Sequence, residues 1–261
     1  MGLNPGDLVN ERYRVIQALG RGGFGVTYTA EDTWRSPLII VLKQIILNST
    51  DNGNESARDN QYIDKLEAEA IVLRELEYPC IPKFFASFVA DNYYYIVQEY
   101  IAGHDLTQEI APGEPIAELK AANLLREMSN ILQFVHQNNI IHRDIKPANI
   151  IRRDRDNQLF LIDFGAVKEI ATEHSNAEGM TLTRIIQSRG YSPVEQLSGH
   201  PRQNSDIYAL GMMIMQAVTG FSVNAICSSQ TVPLRDSQCN YIWQEYAPQI
   251  SPKLKQIISK M

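Results

Sequence analysis

The sequence has little that would cross-link it, anchor it or charge it strongly. Its three cysteines, Cys80, Cys227 and Cys239, are far apart, odd in number and without metal-ligand spacing. That argues against a disulfide framework or a structural zinc site and fits reduced thiols in a reducing compartment. The start of the chain does not read as a secretory leader. The longest apolar runs, such as Ile39-Ile40-Val41-Leu42 and Met212-Met213-Ile214-Met215, are too short to span a bilayer. Basic excess is also missing: 24 Lys and Arg against 30 Asp and Glu leave a formal charge of −6. Such a chain has no general attraction for nucleic acid or anionic membrane, so any phosphate it binds needs a local site. The expectation is a soluble, cytoplasmic domain with no nucleic-acid partner. Internal repeats and low-complexity tracts are absent.

What is present is a chain of 261 residues, 44% hydrophobic, enough for one large domain or two small lobes around a shared cleft. The first hundred residues read as strands with one helix. Arg14 to Leu19 is a short run ending in glycines, and Val26 to Ala30 and Leu38 to Leu47 are rich in β-branched residues. A polar loop precedes a helix predicted from about Gln61 to Glu77, which stops before Pro79. Phe84 to Val89 and Tyr93 to Tyr100 form a predicted hairpin around Asp91-Asn92. The pattern changes near Ala102-Gly103. Pro115 to Asn138 is helical, with Leu119, Leu124, Leu125, Met128, Ile131, Leu132 and Val135 at its apolar positions. A second hairpin joins Ile150-Ile151 to Leu159–Ile162. Residues 163–203 are irregular and polar, Ser205 to Thr219 is an apolar helix stopped by Gly220, and Ser251-Pro252 opens a last helix. The fold class this predicts is α+β: a β-rich N-lobe over residues 1–101 and a mainly helical C-lobe over residues 102–261.

Gly20-Arg21-Gly22-Gly23-Phe24-Gly25 lies between two strands. Glycines let a backbone approach a polyphosphate closely and offer it N–H donors. Alone, this pattern fits an ordinary glycine-rich hairpin better than a phosphate loop. It differs from a dinucleotide fingerprint, in which the glycines open a helix, because Val26-Thr27-Tyr28 continues as strand. Lys43 interrupts an otherwise apolar strand. On the following helix Glu69 falls within the apolar stripe of Leu66, Leu73 and Leu76. A carboxylate on a buried face is unusual, and a Lys43–Glu69 ion pair would account for both residues.

The most specific signal is Ile141-His142-Arg143-Asp144-Ile145-Lys146-Pro147-Ala148-Asn149, followed by Leu161-Ile162-Asp163-Phe164-Gly165. If Asn149 starts one strand of a hairpin and Asp163 ends the other, both side chains lie at the same end. An amide oxygen beside a carboxylate suits Mg²⁺. Asp144 can accept or orient a hydroxyl proton, and Lys146 can neutralise charge on a transferring phosphoryl group.

From about Tyr13 to Met261 the sequence resembles the eukaryotic-like serine/threonine protein kinases also found in bacteria. Glycine loop, strand lysine, helix glutamate, HRD-x-x-x-x-N loop and DFG follow in order. The resemblance implies transfer of the ATP γ-phosphate to protein Ser or Thr hydroxyls, with Mg²⁺ or Mn²⁺. It implies nucleotide contacts from Leu19, Gly20, Arg21, Gly22, Gly23, Phe24, Gly25, Val26 and Thr27, and from Lys43 paired with Glu69. Glu99 and Ile101 would meet the adenine edge, with Gln98 at the back. Asp144 would be the catalytic base, assisted by Lys43, Lys146 and Asn149, with Asn149 and Asp163 as metal ligands. Lys146-Pro147 resembles the Ser/Thr-specific form of the loop. Asp206 resembles the buried aspartate that supports the loop from below. Arg143 implies a phosphate partner on the segment from Asp163 to Glu195, which offers Thr172, Ser175, Thr181 and Thr183. Met180-Thr181-Leu182-Thr183 resembles the doublet at which bacterial relatives phosphorylate themselves, in some cases by self-association.

The sequence also departs from the family. Val41 stands where most relatives carry Ala, and Thr27 where Val is usual, which implies altered nucleotide fit. Pro193-Val194-Glu195, Ser188 and Arg189 replace commoner residues in the substrate-docking region. The helix whose arginine pairs with the glutamate matching Glu195 is missing, so the chain reads as truncated at its C-terminal end, with Glu195 lacking that partner. A membrane anchor beyond Met261 stays open. An ATP-binding scaffold without transfer is the alternative, but it would be expected to lose Lys43, Asp144, Asn149 or Asp163, and all four are present. A small-molecule kinase would be expected to lack the hydroxyl-bearing segment before Glu195.

Overall fold

The run from Leu38 to Leu47 becomes a central strand with apolar partners on both faces, Ile40 and Leu42 on one and Ile45 on the other, while Ile39 and Ile46 stay exposed. The structure, a computed structural model, describes residues 2–22, 25–35, 38–47, 63–64, 66–67, 70–71, 73–164, 190–227 and 241–261. Two compact units divide between Ile101 and Ala102.

In the first unit the strands β1 (Leu8–Val9), β2 (Tyr13–Gly22), β3 (Gly25–Asp32), β4 (Leu38–Ile46), β5 (Phe84–Ala90) and β6 (Tyr93–Glu99) form one sheet. Its order is β1-β2-β3-β4-β6-β5 and its pairings are antiparallel. Alternate residues of a strand point to opposite faces. Ile40 and Leu42 therefore join Tyr13, Val15, Tyr28, Ala30, Tyr95 and Val97 in one core. Phe88 stacks between Tyr13, at 5.6 Å, and Tyr95, at 5.2 Å. On the opposite face Ile45, Tyr94 and Ile96 pack with Leu47 and Leu66. Leu66 belongs to the predicted helix, whose described residues are helical as far as Glu75. With apolar partners on both faces, the strand is apolar except at Lys43 and Gln44, without the polar alternation of a half-exposed sheet. The β5–β6 turn has φ 49° at Asp91 and 64° at Asn92, the paired positive values of a two-residue hairpin loop.

The second unit is built on α1 (Glu118–Gln137) and α3 (Gln203–Thr219), which pack together. Around them are α2 (Val194–Leu197), α4 (Val223–Cys227) and α5 (Pro252–Ile258). Nearly all of α3 is buried, which explains its all-round apolar character. Gly220, at φ 70°, ends it in the left-handed conformation. Ser251 caps α5 by accepting from Leu254 N–H, with Pro252 in the first turn. A three-stranded sheet of β7 (Gly103–Asp105), β8 (Ile150–Arg153) and β9 (Leu159–Leu161) completes the unit in the order β7-β8-β9. The sequence predicts the β8–β9 hairpin but neither β7 nor α4. Three residues of strand carry no periodicity, and β7 exists because Gly103, His104 and Asp105 pair with Arg153, Arg152 and Ile151.

Candidate active site

In the first unit, register decides what the glycine hairpin faces. Gly20 lies opposite Thr27, Thr27 opposite Lys43, and Lys43 opposite Ile96. Directly paired residues share a face, so these four make one row across β2, β3, β4 and β6. Val41, two residues from Lys43 and on the same face, lies opposite Thr29 and Gln98, and Gln98 is buried. Lys43 is half-buried. The two glycines at the ends of the motif differ. A Cβ at Gly25 would sit 1.7 Å from the Gln44 carbonyl oxygen, so the β3–β4 pairing itself demands glycine there. A Cβ at Gly20 would meet nothing within 4 Å, so local packing makes no such demand. Leu19 and Arg21 are exposed, and Gly25, Val26 and Thr27 are half-buried. Glu99 donates its N–H to Lys83 O at 2.8 Å and accepts from Lys83 N–H through its carboxylate at 3.2 Å. Ile101 is buried. Leu66 packs with Ile45 and Ile96, which lie on the Lys43 face of the sheet. Glu69, Gly23 and Phe24 lie outside the described residues, and with them the Lys43–Glu69 pair.

In the second unit a set of hydrogen bonds holds the HRD segment. Asp206 is 1% exposed on an apolar helix, where an unpaired carboxylate would be costly. It is paired instead. Its Oδ1 accepts the N–H of Arg143 at 2.8 Å, and its Oδ2 accepts the N–H of His142 at 2.8 Å and a bond from His136 Nε2 at 2.9 Å. Arg143 has φ 68°, unusual for a residue with a long side chain. The left-handed conformation costs roughly 1–2 kcal/mol in a residue with a Cβ, so the surrounding bonds must hold it. His142 is fully buried. Its Nδ1 accepts from Asp144 N–H at 3.3 Å while Nε2 donates to Ile162 O at 3.0 Å, an assignment that makes Nε2 the protonated nitrogen. Its ring packs on Phe164, with centroids 4.6 Å apart.

Asp144 Oδ2 receives Asn149 Nδ2 at 2.6 Å and Lys146 Nζ at 3.0 Å. Asn149 Nδ2 also reaches Asp144 O at 2.7 Å. With its amide nitrogen spent on Asp144, Asn149 has its Oδ1 to offer a cation. Asn149 closes a short turn of Pro147–Asn149, and its carbonyl accepts Ile162 N–H at 2.9 Å. Ile150 pairs with Leu161, so Asp163 follows β9 at the same end of the hairpin at which Asn149 precedes β8. Asp163 also has positive φ, 60°. An amide oxygen and a carboxylate at one hairpin end are a donor set suited to a small hard divalent cation.

Two hydrogen-bonding residues here escape a reading of the sequence. His136 ends the α1 pattern as one more polar residue near a helix terminus, and Gln196 carries no motif signal. Gln196 Nε2 donates to Arg143 O at 2.6 Å and to Ser192 Oγ at 3.3 Å. The expectation that Glu195 lacks its usual arginine partner meets a different arrangement: Ser205 Oγ donates to Glu195 Oε1 at 2.9 Å. A hydroxyl from the first turn of α3 satisfies part of the carboxylate. Gly165, Thr172, Ser175, Thr181, Thr183, Ser188 and Arg189 lie outside the described residues.

Comparison with known proteins agrees with this geometry. The protein kinase domain family matches residues 13–261. Serine/threonine-protein kinase C of Synechocystis sp. is 36% identical over 99% of this chain and 47% of its own length. Serine/threonine-protein kinase D of the same organism is 38% identical over 97% of this chain and 48% of its own length. PknA of Nostoc sp. is 37% identical over 97% and 44%. The chain thus spans about half the length of the curated relatives it matches. Among solved structures, the apo form of PpkA-294 superposes with a TM-score of 0.71 at 21% identity, over 98% of this chain and 91% of that one. A single-residue variant of the Mycobacterium tuberculosis PknI kinase domain gives 0.68 at 20% identity, over 99% and 90%. At such identities the structural likeness speaks for the two-lobed kinase fold. The sequence matches go further, and the chain belongs to the protein kinase domain family as a bacterial-type serine/threonine kinase catalytic domain.

Proposed function

We propose that this chain transfers the γ-phosphate of ATP to serine and threonine hydroxyls of proteins, and that Asp144 takes up the acceptor hydroxyl. One observation carries the reading: two donors, Asn149 Nδ2 and Lys146 Nζ, converge on Asp144 Oδ2 and set the plane of the carboxylate. A carboxylate held this way can orient a hydroxyl and accept its proton as the phosphoryl group moves. Lys146 has a second use, since an ammonium beside the reacting oxygens offsets their growing charge. The family uses ATP with a divalent metal. Mg²⁺ or Mn²⁺ held by Asn149 and Asp163 would neutralise phosphate charge. Lys43, paired with Glu69, and the hairpin from Leu19 to Thr27 would hold the phosphates, and the backbone of Glu99 and Ile101 the adenine edge. Catalysis of this kind is mostly positioning and charge stabilisation.

Autophosphorylation at Thr181 or Thr183, between paired copies, is part of the same reading. Protein substrates, a cytoplasmic location and the two-lobed division at residue 101 belong to it as well. Among the described residues, no helix is long and apolar enough to cross a membrane.

Intact mass after incubation with ATP and Mg²⁺, beside Asp144→Asn, tests the reading. The expected result is a gain in steps of one phosphate, lost in the variant and mapping to Thr181 or Thr183. ATP binding without any transfer, to itself or to casein, would favour a nucleotide-binding scaffold.

A further inference from the structure

Arg143 is pinned from both sides by side chains of other elements. Asp206, on α3, holds its N–H, and Gln196, on α2, donates to its C=O at 2.6 Å. The peptide plane that Gln196 grips is the one joining Arg143 to Asp144, so its rotation turns the Asp144 backbone directly. The other hydrogen of the Gln196 amide is directed to Ser192 Oγ, in the segment leading into α2. That segment is tied back to α3 by Glu195 and Ser205, and Ser205 precedes Asp206. A closed circuit therefore runs from the catalytic loop through Asp206, Ser205, Glu195 and Gln196 and back to the loop.

A structural cross-link is the plain alternative, but the surroundings of α2 speak against packing as its main anchor. The helix has four residues, and two of them, Val194 and Leu197, are 77% and 58% exposed. A helix that buries so little apolar surface is placed chiefly by its polar contacts.

We propose that Gln196 is a positioning residue for phosphoryl transfer, which sets Asp144 through the Arg143 carbonyl and links the 190–197 segment to the chemistry. This rests on the reading of Asp144 as the residue that takes up the hydroxyl.

The test compares Gln196→Glu, which keeps the shape but turns an oxygen towards the carbonyl, Gln196→Met, which keeps the length without a donor, and Gln196→Lys, which restores one. Turnover of casein is measured per folded molecule, well below each variant's own melting midpoint. KM for ATP and hydrogen exchange over residues 142–146 are followed in parallel, with Asp144→Asn as the reference. Losing one charge-free hydrogen bond that acts in the transition state predicts a kcat lowered about tenfold in Gln196→Glu and Gln196→Met. KM for ATP stays within twofold, exchange over 142–146 quickens, and Gln196→Lys recovers much of the rate. If Asp144→Asn is silent while both donor-free variants keep wild-type kcat per folded molecule, the proposal is overturned and the reading of Asp144 stands. Unchanged exchange over 142–146 overturns it in the same way, whatever the turnover. Wild-type activity in Asp144→Asn would instead remove the reading on which the proposal rests.

Discussion

Asp206 Oδ1 accepts the N–H of Arg143 at 2.8 Å, on a residue held at φ 68°. Its second oxygen serves His142 N–H and His136 Nε2. One carboxylate from α3 thus holds two successive peptide groups just before Asp144. The neutral amide of Asp206→Asn has one oxygen where the carboxylate has two, so it turns an NH₂ group towards one set of donors. Hydrogen bonds to a charged group are worth about 1.5–3 kcal/mol, and each 1.4 kcal/mol is about tenfold in rate. Asp206→Asn is expected to lower kcat on a protein acceptor at least tenfold, with a reduced melting temperature. Turnover within twofold of wild type would mean that the loop holds its own shape.

The two end glycines of the motif differ in what their surroundings demand. Gly25→Ala drives a Cβ against the Gln44 carbonyl and is expected to cost about 1–3 kcal/mol, read in a thermal melt without nucleotide. Gly20→Ala meets open space and should shift stability by less than about 0.5 kcal/mol. Its effect is expected in the rise in melting temperature on adding ATP and Mg²⁺, which should shrink. An undiminished rise would count against close approach of phosphate at Gly20.

Glu109 makes acid sensitivity predictable. Burial pushes its carboxyl up, but hydrogen bonds and charge from Arg152 and Lys120 outweigh burial and hold it down to about 2. Arg152 Nε lies 2.5 Å away, Lys120 Nζ 2.9 Å and His104 Nε2 3.1 Å. A carboxylate with a depressed pKa contributes stability that is complete above its ordinary value of 4.5 and fades as pH falls towards 2. Glu109→Gln should lower the melting temperature at neutral pH, and the gap from wild type should close across that window. A gap that stays constant down to pH 2 would place the cost in packing and not in charge.

Tyr28 ties the start of the chain to the sheet. It accepts Leu3 N–H at 2.9 Å and donates to Gln44 Oε1 at 3.3 Å, while Gln44 Nε2 reaches Tyr95 OH at 2.9 Å. Tyr28→Phe leaves buried groups unpaired and is expected to cost about 1–3 kcal/mol in denaturant unfolding. Combined with Gln44→Leu, the loss should be less than the sum, because the two residues share one network. Strict additivity would show that the contacts act independently.

The sequence by itself determined what local chemistry controls. The turn at Asp91-Asn92, the stop at Gly220 and the cap at Ser251 were all readable, because each depends on the dihedral or hydrogen-bonding preference of a few neighbouring residues. The spacing from Asp144 through Asn149 to Asp163 was readable too, because a single hairpin converts that separation into adjacency. Tertiary structure alone decided β7, the bond from His136 to Asp206, the hydroxyl partner of Glu195 and the grip of Gln196 on Arg143. Those contacts join residues 10 to 70 positions apart through polar groups with no periodicity of their own. Their pairing follows from how the tertiary structure brings α1, α2 and α3 beside residues 142–144, and a buried polar group takes whichever partner then lies within reach.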